Sequence, residues 1–170
     1  MKIIQITGYK NSGKTTLSVK IIETLTEAGL KVASLKHHGH GGIPLGFRNT
    51  DSEKHRQAGA AIAGVEGEGV FQFSALELTL EQLIDFYAFM KVDVLVVEGF
   101  KEKPFPKLVL LSEKEDLILF DRVENIKAVV SPFFFEGAAA YPAFKRDEMD
   151  ALLSWLKQDM IDNKSEYEWK

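Results

Sequence analysis

Apolar positions along the chain follow two periods. Ile3, Ile4 and Ile6 form a short run that stops at Gly8, which predicts a buried strand over Lys2 to Thr7. From Thr15 to Ala28, Leu17, Ile21, Ile22 and Leu25 recur at helical spacing, and Gly29 stands where a helix ends on a left-handed residue. Lys31 to Leu35 predicts a second strand. Together these make a βαβ unit with parallel strands and a right-handed crossover. The stretch His37 to Thr50 holds four glycines and a proline without periodicity, so it reads as a long loop, a length usually associated with function or mobility.

Asp51 to Gln57 reads as a short helix closed by Gly59. Ala60 to Val65 and Val70 to Phe73 read as strands around the turn Glu66-Gly67-Glu68-Gly69. Thr79 to Met90 is predicted helical, with Thr79 and Gln82 as a capping box and Leu80, Leu83, Ile84 and Tyr87 as its apolar stripe. Val92 to Val97 is almost wholly apolar, as an interior parallel strand must be. Lys107 to Leu111 and Ile126 to Val130 are further strands, and Asp147 to Met160 is a closing helix with Leu152, Leu153 and Leu156 inward. The polar residues Asn163 to Lys170 are expected to fray. Strands alternating with helices predict one α/β domain over residues 1–162, followed by a tail over 163–170. In such domains ligands sit beyond the carboxyl ends of the strands.

Composition narrows the chemistry. The chain has 170 residues and no cysteine, which excludes disulfides, iron–sulfur clusters and thiolate zinc sites. A net charge of −4 argues against a nucleic-acid partner. No apolar run approaches the ~20 residues of a membrane span, and no signal-peptide pattern opens the chain, so no membrane partner and a cytoplasmic location are expected.

Gly8-Tyr9-Lys10-Asn11-Ser12-Gly13-Lys14-Thr15 matches G-x-x-x-x-G-K-[ST] in full. Gly8 and Gly13 permit backbone angles that gather N–H groups around a phosphate. Lys14 supplies a point charge for β- and γ-phosphates, and the Thr15 hydroxyl suits Mg²⁺, a hard cation. Thr16 follows at the helix N-terminus, whose dipole favours anions. A predicted strand precedes the motif and an amphipathic helix follows it, which is the context the motif requires. The expected fold is therefore a three-layer P-loop NTPase fold, its mostly parallel sheet flanked by helices. Lys10 reads as a solvated or ligand-facing side chain.

Glu98 follows the apolar strand, where an acid beyond the strand end holds a metal-bound water. Asp is the more usual residue there. The adjacent Gly99 lets backbone approach the γ-phosphate. The alternative is that Glu98 simply ends a buried strand in solvent. Asp51 stands where a switch segment contacts Mg²⁺ or orients water, and it reads equally well as a helix cap. Lys14, Asp51 and Glu98 are thus the candidate catalytic residues, and Thr15, Asp51 and Glu98 the candidate metal ligands. The segment Lys36-His37-His38-Gly39-His40 holds three of the four histidines. A metal site, a polar hydrogen-bonding loop, and Lys36 and His37 facing phosphates at the end of the second strand are its three readings. His55 and Arg56 could serve the same face.

In this order and spacing, the P-loop, Lys36-His37-His38, Asp51-Ser52 with Arg56-Gln57-Ala58-Gly59-Ala60, and Val97-Glu98-Gly99-Phe100-Lys101 resemble the molybdopterin-guanine dinucleotide biosynthesis adaptor family, the MobB family, over residues 2–131. The resemblance implies a GTP-binding protein with weak GTPase activity and a homodimer. It also implies a partnership with the guanylyltransferase that joins GMP to molybdopterin, with molybdopterin as a further candidate partner. It places Ser131 near the base, at the end of a strand from which such proteins reach it. Pro132 stands where the family would offer an acid, and no N-K-x-D motif is present. Phe133-Phe134-Phe135 could wall the base or belong to the core. The rival reading is a P-loop small-molecule kinase or other ATP-dependent enzyme. It is weakened by a chain with only four arginines and no arginine-rich lid.

Overall fold

The strand β1 (Lys2–Gly8) has a parallel neighbour on each edge and is buried from Ile3 onward. A strand covered on both faces must be apolar, and Ile3, Ile4 and Ile6 meet that demand. The computed structural model describes residues 1–37, 50–135 and 140–169. After β1 come α1 (Lys14–Glu27), β2 (Val32–Lys36), α2 (Asp51–Gln57), β3 (Ile62–Gly67), β4 (Val70–Ala75), α3 (Leu80–Phe89) and β5 (Val94–Glu98). They are followed by β6 (Lys107–Leu110), a 3-10 stretch over Lys114–Asp121, β7 (Ile126–Val130), β8 (Ala143–Phe144), α4 (Met149–Asp162) and α5 (Lys164–Tyr167).

Six strands form a parallel sheet in the order β2-β5-β1-β6-β7-β8. Of the strands that end in candidate site residues, β1 and β5 are adjacent and interior, and β2, which ends in Lys36, lies beside β5 at the sheet edge. One face of the sheet carries Ile4, Ile6, Val94, Val96, Leu108 and Leu110, which pack with Leu17, Ile21 and Leu25 of α1 and Leu152, Leu156 and Met160 of α4. On the other face Val109, Leu111 and Val129 pack with Leu119, Val123 and Phe135. The apolar stripes of α1 and α4 read from the sequence are therefore the ones that close the core.

Contacts divide the chain into two units, where the sequence led to the expectation of one domain over 1–162. One unit comprises Met1–His37 with Tyr87–Lys170, and the other His38–Phe86. The second contains α2 and the antiparallel hairpin β3–β4. The hairpin turns through Glu68 and Gly69, both at positive φ, the backbone of a tight two-residue turn matched to strand twist. Thr79 caps α3 as predicted: its hydroxyl accepts from the Gln82 amide, and the Gln82 side chain accepts from the Thr79 amide.

Three features differ from expectation. The strand β8 has two residues, too few to show a period, and exists because Pro142 and Phe144 carbonyls accept from the amides of Val129 and Ser131. The 3-10 stretch was not predicted, since its apolar residues follow no single period. The tail expected to fray is docked. Tyr167 is buried in the main core, Glu168 bridges to Lys2, and the Trp169 amide donates to the Met1 carbonyl. One large aromatic ring outweighs a polar neighbourhood, because burying it removes more apolar area from water than its flanking charges need to lose.

Lys107, fully buried in β6, donates from Nζ to the carbonyls of Lys103, Phe105 and Glu124. Burial pushes its ammonium down to about 8, with the Glu124 carboxylate pulling the other way. These bonds tie the segment after β5 to the turn before β7.

Candidate functional site

The loop from Gly8 to Gly13 has a backbone that its residue types dictate. A Cβ on Gly8 would lie 2.5 Å from Ser12 Oγ and 2.7 Å from the Leu110 carbonyl, so no side chain fits there. Asn11 and Gly13 both adopt positive φ. Alternating left- and right-handed residues turn successive N–H groups to one side, which makes a concave anion nest. The helix α1 starts on Gly13 with no side-chain cap and no acid in its first turn. Its first amides therefore have no internal acceptor and are suited to an anion. Lys14 Nζ folds back on the loop, donating to the Tyr9 carbonyl and approaching Ser12 Oγ at 3.5 Å.

Thr15, the second residue of α1, faces the end of β5. Its hydroxyl lies 3.2 and 3.1 Å from the two Glu98 carboxylate oxygens. Lys36, the last residue of β2, donates from Nζ to Thr15 Oγ1 at 3.2 Å and pairs with Glu98 Oε1 at 3.0 Å. Glu98 is buried whereas the Lys36 side chain is more than half exposed. The strand register explains the meeting, since Lys36 and Glu98 are direct partners across β2 and β5. Lys14 is held below its ordinary pKa chiefly by burial, with Glu98 opposing and Lys101 and Lys36 adding to the fall. The loop is thus ringed by ammonium groups around one carboxylate.

The turn after Glu98 is built tightly. Gly99 has φ +92°, and a Cβ there would lie 3.0 Å from the His37 Cβ. The His37 amide donates to the Glu98 carbonyl at 2.9 Å, and its ring packs at 4.6 Å from Phe100. Gln5 Nε2 donates to the carbonyls of Gly99 and Phe100, so a polar side chain in the central strand holds the turn from beneath. Lys101 Nζ sits 3.9 Å over the Tyr9 ring, bringing a third cation to the loop.

The oxygen donors of Thr15 and Glu98 are the hard ligands that Mg²⁺ takes, and the Lys36 ammonium lodged against both shows that the position favours a cation. No cluster of three or more His, Cys, Asp or Glu side chains suited to a metal exists among the described residues. A protein-only cage is therefore absent there, and a divalent ion at Thr15 and Glu98 would need phosphate oxygens and water to complete its shell.

Asp51 belongs to the second unit, on the first turn of α2, where its carboxylate pairs with Lys54 at 2.8 Å; the cap itself is Thr50, whose hydroxyl accepts from Glu53. The reading of Asp51 as cap is corrected by one residue. Arg56 is engaged by Glu53 through two bonds, so its guanidinium is committed within α2. Ser131 is buried at the end of β7 and turned into its own turn, donating to the Phe133 carbonyl and accepting from the Phe133 amide. Of the aromatic run, Phe135 is core and Phe134 is 89% exposed. Lys10 and Thr16 are exposed on the loop and the first turn of α1. His38 and His40, with the rest of 38–49, lie outside the described residues.

Reading the sequence missed Arg146. Its Nη2 donates to Ser112 Oγ at 2.9 Å and to the carbonyls of Ser12 and Leu111 at 3.3 and 3.4 Å, so the segment after β8 braces the outside of the phosphate loop. No local pattern marks it, because the contact depends on β8 joining the sheet. Gln5 did leave a signal, as a large polar side chain in the middle of a mostly apolar interior strand.

Residues 3–132 match the family model for MobB, molybdopterin guanine dinucleotide synthesis protein B. A protein of Bacillus subtilis (strain 168) named "Probable molybdopterin-guanine dinucleotide biosynthesis adapter protein" is 41% identical, over 91% of this chain and 93% of the relative. The crystal structure of Bacillus subtilis MobB superposes with a TM-score of 0.76 at 40% identity, covering 91% of this chain and 97% of that one. A MobB protein homolog from Bacillus stearothermophilus gives 0.77 at 30% identity, covering 95% and 99%. The fold is the P-loop NTPase-like α/β fold, and both its strand order and its loop agree with that assignment. The chain belongs to the MobB family of molybdopterin guanine dinucleotide synthesis proteins.

Proposed function

We propose that this protein binds GTP together with Mg²⁺ at the carboxyl ends of β1, β2 and β5, and that it serves as an adapter in molybdopterin guanine dinucleotide biosynthesis alongside the guanylyltransferase. The observation that carries the nucleotide reading is the meeting of Lys14, Thr15, Lys36 and Glu98 beside a loop whose backbone forms an anion nest. The adapter role rests on the family and on relatives that bear that name. Those names favour an adapter over the small-molecule kinase.

The residues divide the work by chemistry. The amides from Gly8 to Thr16 bind phosphate, with the side chains of Tyr9, Lys10, Asn11 and Ser12 shaping the loop's rim. Lys14, released from the Tyr9 carbonyl, neutralises β- and γ-phosphate charge. Thr15 and Glu98 would hold the metal, which supplies charge neutralisation between the phosphates. Lys36, His37 and Gly99 border the γ-phosphate, and Ser131 lies toward the base. Asp51 is the acid assigned to orient water, and as such the one residue with a purely chemical role.

Turnover is expected to be slow. P-loop proteins without a positioned arginine or glutamine in cis hydrolyse slowly. Arg56 is held by Glu53, Arg146 by carbonyls, and Gln5 by the turn it supports. Guanine preference is expected to be modest, since N-K-x-D is missing and Ser131 is engaged by its own turn. The hairpin β3–β4 supports the homodimer: Val65 and Val70 are exposed on one face and Ile62 and Phe71 on the other, a pattern that favours burial against a second copy.

The test is a binding panel of GTP, ATP and GDP with purified protein and Mg²⁺. GTP should bind more tightly than ATP, by less than ~1000-fold, about 4 kcal/mol. Absence of triphosphate binding, or rapid multiple turnover by the isolated protein, would overturn this reading.

A further inference from the structure

We propose that Lys36 is a resident counter-cation of the metal–triphosphate site: its ammonium rests against the oxygens of both Thr15 and Glu98 in the nucleotide-free protein, and a divalent ion enters only by displacing it. The inference rests on the nucleotide reading above and adds a rule for how that site loads.

The geometry forms a closed set. Lys36 Nζ lies 3.2 Å from Thr15 Oγ1 and 3.0 Å from Glu98 Oε1, while Thr15 Oγ1 lies 3.1 Å from Glu98 Oε2. These are the oxygen atoms a divalent ion would use, so ammonium and ion cannot share them. Strand register sets the arrangement. Lys36 and Glu98 are paired residues of adjacent parallel strands, so both side chains leave the sheet on the same face at the same level. The two partners differ in freedom. Glu98 is buried at the end of an interior strand, whereas Lys36 ends an edge strand with 59% of its side chain exposed. The carboxylate is therefore fixed and the ammonium is free to leave.

Charge decides what can displace it. Lys14 lies on the same site, and its charge is coupled to those of Glu98, Lys36 and Lys101. A divalent ion arriving alone gains one carboxylate and meets several ammonium groups. A triphosphate brings enough negative charge to take up both the ion and the released Lys36. Metal and nucleotide are then expected to load together, with the bare ion excluded.

The experiment measures Mn²⁺ binding to nucleotide-free protein by electron paramagnetic resonance, for the full chain and its Lys36→Met, Lys36→Gln and Lys36→Arg variants. Thermal melts check the fold. Removing a like charge from this distance is worth about one to three powers of ten in a neighbouring charge equilibrium, so Lys36→Met and Lys36→Gln should bind Mn²⁺ at least about ten-fold more tightly than the unsubstituted protein. Lys36→Arg, which keeps the charge, should bind it as weakly as the unsubstituted protein. Adding Glu98→Gln to Lys36→Met should abolish the gain. Equal Mn²⁺ affinity in all four proteins, with GTP still drawing Mn²⁺ in, would overturn the displacement rule alone. A gain in Lys36→Arg would overturn it too, because size and not charge would then be responsible. If GTP fails to raise Mn²⁺ affinity in any of the proteins, the nucleotide reading and this inference fall together.

Discussion

Glu98 and Asp51 are both acids at the start or end of a regular element, yet the regions around them are built differently. Glu98 closes β5, a strand buried throughout and paired on both edges, and the turn after it is held by Gln5, His37 and the approach of Gly99. Asp51 opens a seven-residue helix in the second unit, where its carboxylate pairs with Lys54 on the same exposed surface. Beside it, an open cleft of about 230 Å³ is walled by Thr50, Ser52, Ala63, Val65, Gln72 and Phe73. The first region fixes a charge by long-range packing. The second carries its charges on local bonds, and it leaves large apolar side chains such as Phe71 in solvent. A carboxylate fixed by a sheet is suited to hold an ion in one geometry, and one on a short exposed helix is suited to respond to what binds.

This contrast yields a graded series of tests. The largest effect is expected in the first region. Lys14→Ala should cost about 3 kcal/mol, on the order of 100-fold, in GTP affinity, since it removes charge-assisted bonds to phosphate. The side chain is not core, so the melting temperature should hardly move. An unchanged dissociation constant would break the assignment of the loop to phosphate.

Next comes Glu98→Gln. Its effect should appear as a loss of roughly ten-fold or more in GTP affinity with Mg²⁺, because a charged oxygen ligand is replaced by a neutral one. In EDTA the same variant should match the unsubstituted protein. Equal losses with and without Mg²⁺ would make Glu98 a structural group.

In the second region, Asp51→Asn should leave GTP affinity within a few-fold while slowing single-turnover hydrolysis by roughly ten-fold, a low value for loss of a positioned acid or base. Loss of binding with an unchanged rate per bound nucleotide would reverse the roles of the two acids. No change in either would mean that Asp51 serves only its helix.

The smallest effect concerns the hairpin. Phe71→Ser should weaken the proposed homodimer by about 1 kcal/mol, roughly five-fold in dissociation constant by sedimentation, since most single interface side chains contribute no more than that. A protein that is monomeric at every concentration would remove the second unit's assigned partner and leave its exposed apolar residues unexplained.

Much of the molecule was legible before any coordinates. The 3.6 and 2 periods, the cap at Thr79 and the positive φ of Gly13 in the phosphate loop are properties of neighbouring residues, and backbone sterics act over the same short range. The motif Gly8 to Thr15 specifies its own conformation, so its chemistry could be read directly. The acid at Glu98 was equally readable, because an apolar run that ends in a carboxylate can be recognised from its own residues. The tertiary structure decided what no window of sequence contains. Strand order placed β2 beside β5 and thereby set Lys36 against Thr15 and Glu98. The two-residue β8 acquired its form only by pairing with β7, and through it Arg146 reached the phosphate loop. Tyr167 drew a polar tail into the core, while Asp51 was assigned to a unit other than that of the loop it was expected to serve. In each case the deciding energy comes from contacts between residues far apart in the chain, and a local pattern carries no record of which distant partner will supply them.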